Sequence, residues 1–258
     1  MVRPPPDSDV PGVRFFQFNM CGSACNEGDV VGVVIAIRDS VLRSRPDVLA
    51  LNETCLAQAD RLWEQLRRRG VTMSGCFGAT TGRSLCPGEE GKRWYGNAVF
   101  SLGVGIGSPE LIALPNRPGR SEQRSVISMR TDLRGVESFV SSTHLIPRAW
   151  DEEYNRLQIS EVARIHNACA DAGHCVVLAG DLNGSPRQLS EITLPAGHFQ
   201  DVDYADNEPT YSTWKSDYIL LNTESFHSLS GDATRSIYSD HRPLRGQATL
   251  RAPDPPAV

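Results

Sequence analysis

The stretch His174-Cys175-Val176-Val177-Leu178-Ala179-Gly180-Asp181-Leu182-Asn183-Gly184-Ser185-Pro186 is apolar from Cys175 to Ala179 and then meets an acid. A run this short, closed by Gly and Pro, reads as a buried strand rather than a helix. Asp181, with Asn183 two residues on, stands where that strand ends. The same grammar recurs outward along the chain. Val13–Asn19 is an aromatic-rich apolar run ending on Asn19, Asp47–Glu53 ends on Glu53, and Ser138–His144 ends on His144. Asp217–Leu221 is opened by an acid instead, and Asp240-His241 precedes Pro243, which cannot donate to a β-ladder. Strand ends gather at the rim of a sheet. If these share one rim, their carboxylates and amides form a hard, oxygen-rich site suited to Mg²⁺, Mn²⁺ or Ca²⁺. Taken singly, each has a plainer reading as a strand cap or turn residue.

Between the strands lie helical patterns. Val30, Val33, Val34, Ile37, Val41 and Leu42 recur at helical spacing from Asp29 to Arg45, and Pro46 stops them. Leu56–Arg69 and Asp151–Ala172 are further helices. Val71–Phe77, Asn97–Ser101 and Ser125–Met129 read as extended, and Gly78–Gly91 as turn-rich. Residues 1–12 read as a flexible lead-in, 13–250 as one domain and 251–258 as a flexible tail.

The chain has 258 residues, a formal charge of -5 and a pI near 5.7. That excludes nucleic-acid binding by bulk positive charge. A local border remains available in Arg83, Lys92, Arg93, Arg117, Arg120, Arg124 and Arg148. No apolar run reaches the roughly 18 residues of a membrane span, and no signal peptide is read after Met1. Both a secreted mature form and a cytoplasmic one stay open. The seven cysteines offer the close pairs Cys21/Cys25, Cys76/Cys86 and Cys169/Cys175 as local bridges or as buried thiols. None has structural-zinc spacing. His166, His174, His198 and His227 read as surface or packing residues. Trp150 reads as a base-stacking group or, with slight preference, as an anchor packed on the core.

"FQFNMCG", "LALNETC", "YGNAVFS", "SSTHL", "LAGDLNGSP", "KSDYILLN" and "YSDHRPL" occur in an order that resembles the endonuclease/exonuclease/phosphatase superfamily of DNase I-like, metal-dependent phosphoesterases. The likeness runs from about Arg14 to Leu244. It implies an α/β fold: a four-layer α/β sandwich of two packed, mostly antiparallel sheets flanked by helices. It also implies roles. Asn19, Glu53 and Asp240 would hold or approach the divalent ion. Asp181 would activate or orient water, and Asn183 would donate to the phosphoryl group or nucleophile. Asp217 would fix the tautomer of His241, which faces the phosphate, and His144 would contact phosphate or protonate the leaving oxygen. Asn97 matches a rim position that steadies its neighbours. Arg124 has two readings, a phosphate contact or a surface salt bridge to Glu122, and Arg148 joins it as a substrate-binding candidate. The expected activity is Mg²⁺-dependent phosphodiester hydrolysis by a monomer, foremost a DNase-like endonuclease of low sequence specificity; the alternative is a phosphatase for a small phosphorylated metabolite or lipid headgroup. Specificity resides in loops rather than in the fold.

Overall fold

The computed structural model describes residues 12–82, 85–89, 93–193, 196–236 and 238–251. The lead-in up to residue 11 and the tail from 252 lie outside these, as do Arg83 and Lys92 of the expected basic border.

Twelve strands form two six-stranded sheets. The first contains β1 (Val13–Asn19), β2 (Val48–Cys55), β3 (Ser74–Gly82), β4 (Trp94–Ser101), β11 (Phe226–Ala233) and β12 (Leu244–Leu250), in the order β11-β12-β1-β2-β4-β3. The second contains β5 (Gly105–Ala113), β6 (Ser125–Leu133), β7 (Val136–His144), β8 (Cys175–Asp181), β9 (Phe199–Asp201) and β10 (Asp217–Asn222), in the order β5-β6-β7-β8-β10-β9. Helices α1 (Gly32–Ser44) and α2 (Leu56–Arg68) lie on the outer face of the first sheet, and α3 (Glu152–Asp171) on that of the second.

Alternation within the strands builds the layers. In β1, Val13 and Phe15 enter the core between the sheets with Ala50, Val99, Val140, Val177 and Ile219, whereas Phe16 and Phe18 face outward against Val33, Val34 and Ile37 of α1 and Leu62 of α2. On the far side Leu178 and Leu220 pack against Ile159 and Val162 of α3. This is the expected four-layer α/β sandwich. Its neighbouring strands are antiparallel except β1–β2 and β7–β8, which are parallel and joined through α1 and α3. A parallel pair needs such a crossover, and it places both carboxyl ends side by side. Asn19 therefore pairs with Asn52, and His144 with Asp181.

Local chemistry sets the boundaries. The Asp29 carboxylate accepts from the N–H groups of Val31, Gly32 and Val33, so α1 starts three residues after the acid that opens its sequence pattern. Gly180 is required by packing. A Cβ there would lie 2.0 Å from the carbonyl oxygen of Thr143 in the adjacent strand. The segment Val71–Phe77 enters strand only at Ser74, and β3 continues into the start of the turn-rich segment.

Two disulfides are formed, Cys21–Cys25 and Cys55–Cys86. Of the close pairs only Cys21/Cys25 bridges: Cys86 reaches Cys55 at the amino end of α2 rather than Cys76, closing a sequence separation of 31. Cys169 and Cys175 do not bridge either, and Cys76, Cys169 and Cys175 are free thiols. Burial pushes the Cys76 thiol up to about 12 and the Cys175 thiol up to about 11, which makes them poor nucleophiles.

Candidate active site

The parallel pairs of the two sheets end at one rim, and the polar strand ends meet there. Asn19 Nδ2 donates to Asp181 Oδ2 at 3.0 Å and to Glu53 Oε1 at 3.3 Å, tying the first sheet to the second through one amide. Asp181 is buried. Its other oxygen accepts from the Ser216 hydroxyl at 2.6 Å and from the Asn183 N–H at 3.1 Å. Asp217 faces Asp181 across the antiparallel β8–β10 ladder. Its Oδ2 lies 2.8 Å from His241 Nδ1, and its Oδ1 accepts from Gln17 Nε2 at 2.9 Å. The Nε2 atoms of His144 and His241 stand 3.5 and 3.6 Å from the same Asp181 oxygen. His144 Nε2 is also 3.8 Å from Glu53 Oε1.

Burial and neighbours drive these groups apart in charge. Burial and the negative charge of Asp217 raise Asp181 to about 7. Burial, Arg124 and His241 hold His144 well below the ordinary histidine value, so it is neutral at physiological pH. For His241 burial acts downward but is overcome by Asp217, Asp181 and Asp240, and its value rises to about 10. A neutral and a cationic imidazole thus flank one carboxylate oxygen. Groups pushed to opposite protonation states are those equipped to divide acid and base roles.

Two backbone positions serve this geometry. Glu53 (φ 52°), two residues before the end of β2, and Asn183 (φ 48°), two residues after β8, adopt left-handed conformations. Such strain concentrates at functional sites. The β2–β4 register slips between Leu51 and Thr54, and that irregularity turns Glu53 toward the rim.

The remaining candidates occupy different places. Asn97 is buried and accepts from Asn52 Nδ2 at 3.1 Å, a supporting position as expected. Arg124 does pair with Glu122, at 3.3 Å, but both side chains are largely covered, which corrects the surface salt bridge: the guanidinium is inside the site, where its charge acts on His144. Arg148 is exposed and bound to Glu152 at 2.7 Å, while Arg117 bridges Asp151 at 2.8 Å. Asp240 is exposed at the rim, with its carboxylate 3.8 Å from Cys25 Sγ and beside the Ser239 hydroxyl, which itself donates to the carbonyl of Asn19. Trp150 is 63% exposed and does not anchor on the core. His166 is buried between Phe139 and Phe199, as a packing residue should be.

Sequence reasoning passed over Gln17, Asn52, Ser216 and Tyr211. Asn52 Oδ1 accepts from Gln17 Nε2 and from the Asp181 N–H, so these two amides lock the sheets together under the site. Tyr211 stacks on His241 with ring centroids 4.7 Å apart. The available signal was a polar residue inside an otherwise apolar strand: Gln17 and Asn19 are two apart and share a face.

The donor set suits a divalent cation. Glu53 and Asp181 present hard carboxylate oxygens linked by Asn19, and the buried acids Asp181 and Asp217 carry the excess negative charge that a cation offsets. Atoms of Asp181, Asp217 and His241 also lie within 4.8 Å of one another. Asp217 and His241 already satisfy each other, and Glu53 is the accessible carboxylate beside Asp181.

Residues 16–102 match the sequence profile of the Endonuclease/Exonuclease/phosphatase family. No curated protein matches the chain. Among solved structures, an endonuclease/exonuclease/phosphatase from Beutenbergia cavernae is 22% identical, with a TM-score of 0.71 over 93% of this chain and 72% of that one. The catalytic domain of human Nocturnin, with a bound sulfate anion, is 17% identical, with a TM-score of 0.71 over 93% of this chain and 95% of that one. D. rerio TDP2, complexed with a single strand DNA product, is 17% identical, with a TM-score of 0.69 over 92% and 98%. These structures share the fold described here.

Proposed function

We propose that this chain, which carries the Endonuclease/Exonuclease/phosphatase match in its first half and that fold throughout, is a divalent-metal-dependent phosphodiester hydrolase, foremost a DNase-like endonuclease of low sequence specificity. The observation that carries the proposal is the convergence of Asn19, Glu53, Asp181, His144 and the Asp217–His241 pair within one hydrogen-bonded rim. TDP2 with its DNA product and Nocturnin with its sulfate support a nucleic-acid phosphate as the ligand.

Glu53 would hold Mg²⁺, with Mn²⁺ and Ca²⁺ as substitutes; Asn19, whose Nδ2 donates to the Glu53 and Asp181 carboxylates, and Asp240 at the rim would approach it. The bound ion would polarise a non-bridging phosphate oxygen and offset developing negative charge. The chain's own groups supply the rest. Asp181, raised to about 7, orients a water and takes up its proton near neutral pH. Asn183 gives one Nδ2 hydrogen to the Leu145 carbonyl at 3.0 Å, which fixes the amide, and keeps the second for the phosphoryl group. His241, held cationic by Asp217, donates from Nε2 to a phosphate oxygen. Neutral His144 faces the leaving side as a hydrogen-bond donor, and Arg124 adds fixed positive charge behind it. Trp150, exposed after β7, and Trp214, exposed beside Tyr211, supply faces for bases at the rim. The two disulfides favour the secreted form over the cytoplasmic one.

The test is nicking of supercoiled plasmid with Mg²⁺ or Mn²⁺, with EDTA and Glu53→Ala as controls. Nicking abolished by both supports the proposal. Absence of nicking by folded, metal-supplied protein overturns the nuclease and shifts the reading to a small-phosphoester phosphatase.

A further inference from the structure

A groove of about 310 Å³ lies on the outer face of the first sheet, between α1 and the segment that returns from β11 toward His241. Its floor is apolar, with Phe16, Phe18 and Ile37. Its walls carry three arginines, Arg43 on α1, Arg235 on the returning segment and Arg245 on β12. The hydroxyls of Ser40, Thr234 and Ser236 stand among them.

The arginines have little internal use. Arg43 donates only to the Ser40 hydroxyl, at 3.2 Å, and none of the three forms an ion pair among the described residues. Arg245 Nε is buried without a hydrogen-bond partner. Two acids lie close: Asp39 is tied to Arg38 at 2.7 Å, and exposed Asp232 sits across the β11–β12 ladder from Arg245 without bonding it.

One end of the groove adjoins the candidate active site. Tyr238, on its wall, gives its carbonyl to Asn26 Nδ2 at 2.6 Å, and the same amide holds the carbonyls of Met20 and Cys21 directly after Asn19. A Cβ at Gly32, where α1 begins, would sit 3.6 Å from the Tyr238 ring. α1 lines the groove from Ala36 to Arg43, roughly 10 Å at 1.5 Å per residue. That is about the rise of three nucleotides at ~3.4 Å per strand.

We propose that this groove is a track for the phosphate backbone of the nucleic-acid strand that leaves the active site, with Arg235, Arg245 and Arg43 binding successive phosphates. The inference rests on the proposed phosphodiesterase function. The three arginines neutralise charge away from the bond being cleaved, so they act on strand affinity and not on chemistry.

The experiment compares Arg43→Gln/Arg235→Gln/Arg245→Gln with the unmodified protein on two substrates, a single-stranded DNA oligonucleotide and the chromogenic diester bis(p-nitrophenyl) phosphate. The small diester cannot reach the groove, so its turnover should be unchanged. Binding of the oligonucleotide, measured in an Asp181→Asn background, should weaken, and the slope of log affinity against log salt should flatten by about 2, three contacts at ~0.7 each. Unchanged oligonucleotide affinity and salt slope, with small-diester turnover intact, overturns the track. Loss of small-diester turnover in the unmodified protein points instead to failure of the hydrolase reading, and the oligonucleotide binding arm still decides the groove. The single variant Arg245→Gln, which should shift the slope by about 0.7, keeps the test available if the triple variant fails to fold.

Discussion

His241 Nδ1 lies 2.8 Å from Asp217 Oδ2, and the second Asp217 oxygen is held by Gln17, so the carboxylate that governs the imidazole cannot turn away from it. This pair raises His241 to about 10, against the downward pull of burial. Its contribution to stability is therefore fully present below the ordinary histidine value near 6.5 and is lost as pH rises through about 10. Asp217→Asn removes the charge and leaves the burial, so the imidazolium should deprotonate at much lower pH. Turnover near pH 8 should fall by about 10² to 10⁴, the range for loss of a positioned proton donor. The alkaline limb of kcat/KM should move down in pH. An unshifted limb in a folded variant would show that His241 does not owe its charge to Asp217.

His241→Ala should remove most turnover and also lower the melting temperature, because the imidazole is buried against Tyr211 and its loss leaves the buried Asp217 carboxylate without its partner. Plasmid nicking and thermal unfolding on the same preparation check both halves. Near-normal nicking sinks the assignment of the imidazole to the phosphate.

Asp181 carries a linkage of the same sign in a lower pH window. Its folded value of about 7 exceeds the ordinary aspartate value, so the native protein binds more protons than the unfolded chain between about pH 4 and 7, and stability from this group declines as pH rises through that window. Asp181→Asn should consequently flatten the decline while abolishing hydrolysis. A divalent cation that binds only the native site should raise the melting temperature of the unmodified protein, by an amount worth about 2.7 kcal/mol at 100 times its dissociation constant. Glu53→Ala should lose that shift. Calorimetry with and without Mg²⁺ decides, and an equal shift in Glu53→Ala would place the ion elsewhere.

The sequence made the inner strands and their polar ends legible, because Val13–Asn19, Asp47–Glu53 and His174–Asp181 are apolar runs stopped by a single chemical residue. It did not show β5, β9 or β11, nor the full extent of β12 after Pro243. β5 is an edge strand, mostly exposed, with no apolar alternation to read, and β12 buries Gly246 and Ala248, whose small side chains weaken its pattern. The site was legible as a set of ends but not as a network. Gln17 and Asn52 stand between candidates 200 and 129 residues away in the chain, and only the pairing of the sheets brings those partners within bonding distance. The Cys55–Cys86 bridge escaped for the same reason, since close spacing favoured Cys76 as the partner of Cys86.

Gly180 should tolerate no side chain. The Cβ of Gly180→Ala would fall 2.0 Å from the Thr143 carbonyl oxygen, a backbone atom fixed by the β7–β8 register that aligns His144 with Asp181. Overpacking of this kind costs about 1–3 kcal/mol or more. Urea unfolding should show the loss, and whatever protein folds should hydrolyse poorly because the two catalytic candidates part. Wild-type stability in this variant would mean that the two strands approach less closely than described.

The disulfides make a last prediction, because each is attached to a residue of the proposed metal site. The Cys21 N–H donates to Asn19 Oδ1 at 3.0 Å, and the Gly22 N–H donates to the Glu53 carbonyl at 2.8 Å, so the loop closed by Cys21–Cys25 braces both residues. Cys55, two residues beyond Glu53, fixes the start of α2 to Cys86. By loop length the Cys55–Cys86 bridge contributes about 3–4 kcal/mol and the short Cys21–Cys25 bridge about 2 kcal/mol in the chain-entropy account. Cys55→Ser/Cys86→Ser should therefore lower thermal stability the more. Cys21→Ser/Cys25→Ser should instead act mainly on function, raising the Mg²⁺ concentration needed for half-maximal nicking as Asn19 and Glu53 lose their brace. If the short-loop variant matched the unmodified protein in Mg²⁺ requirement while melting earlier, the bridge would serve the fold and not the site.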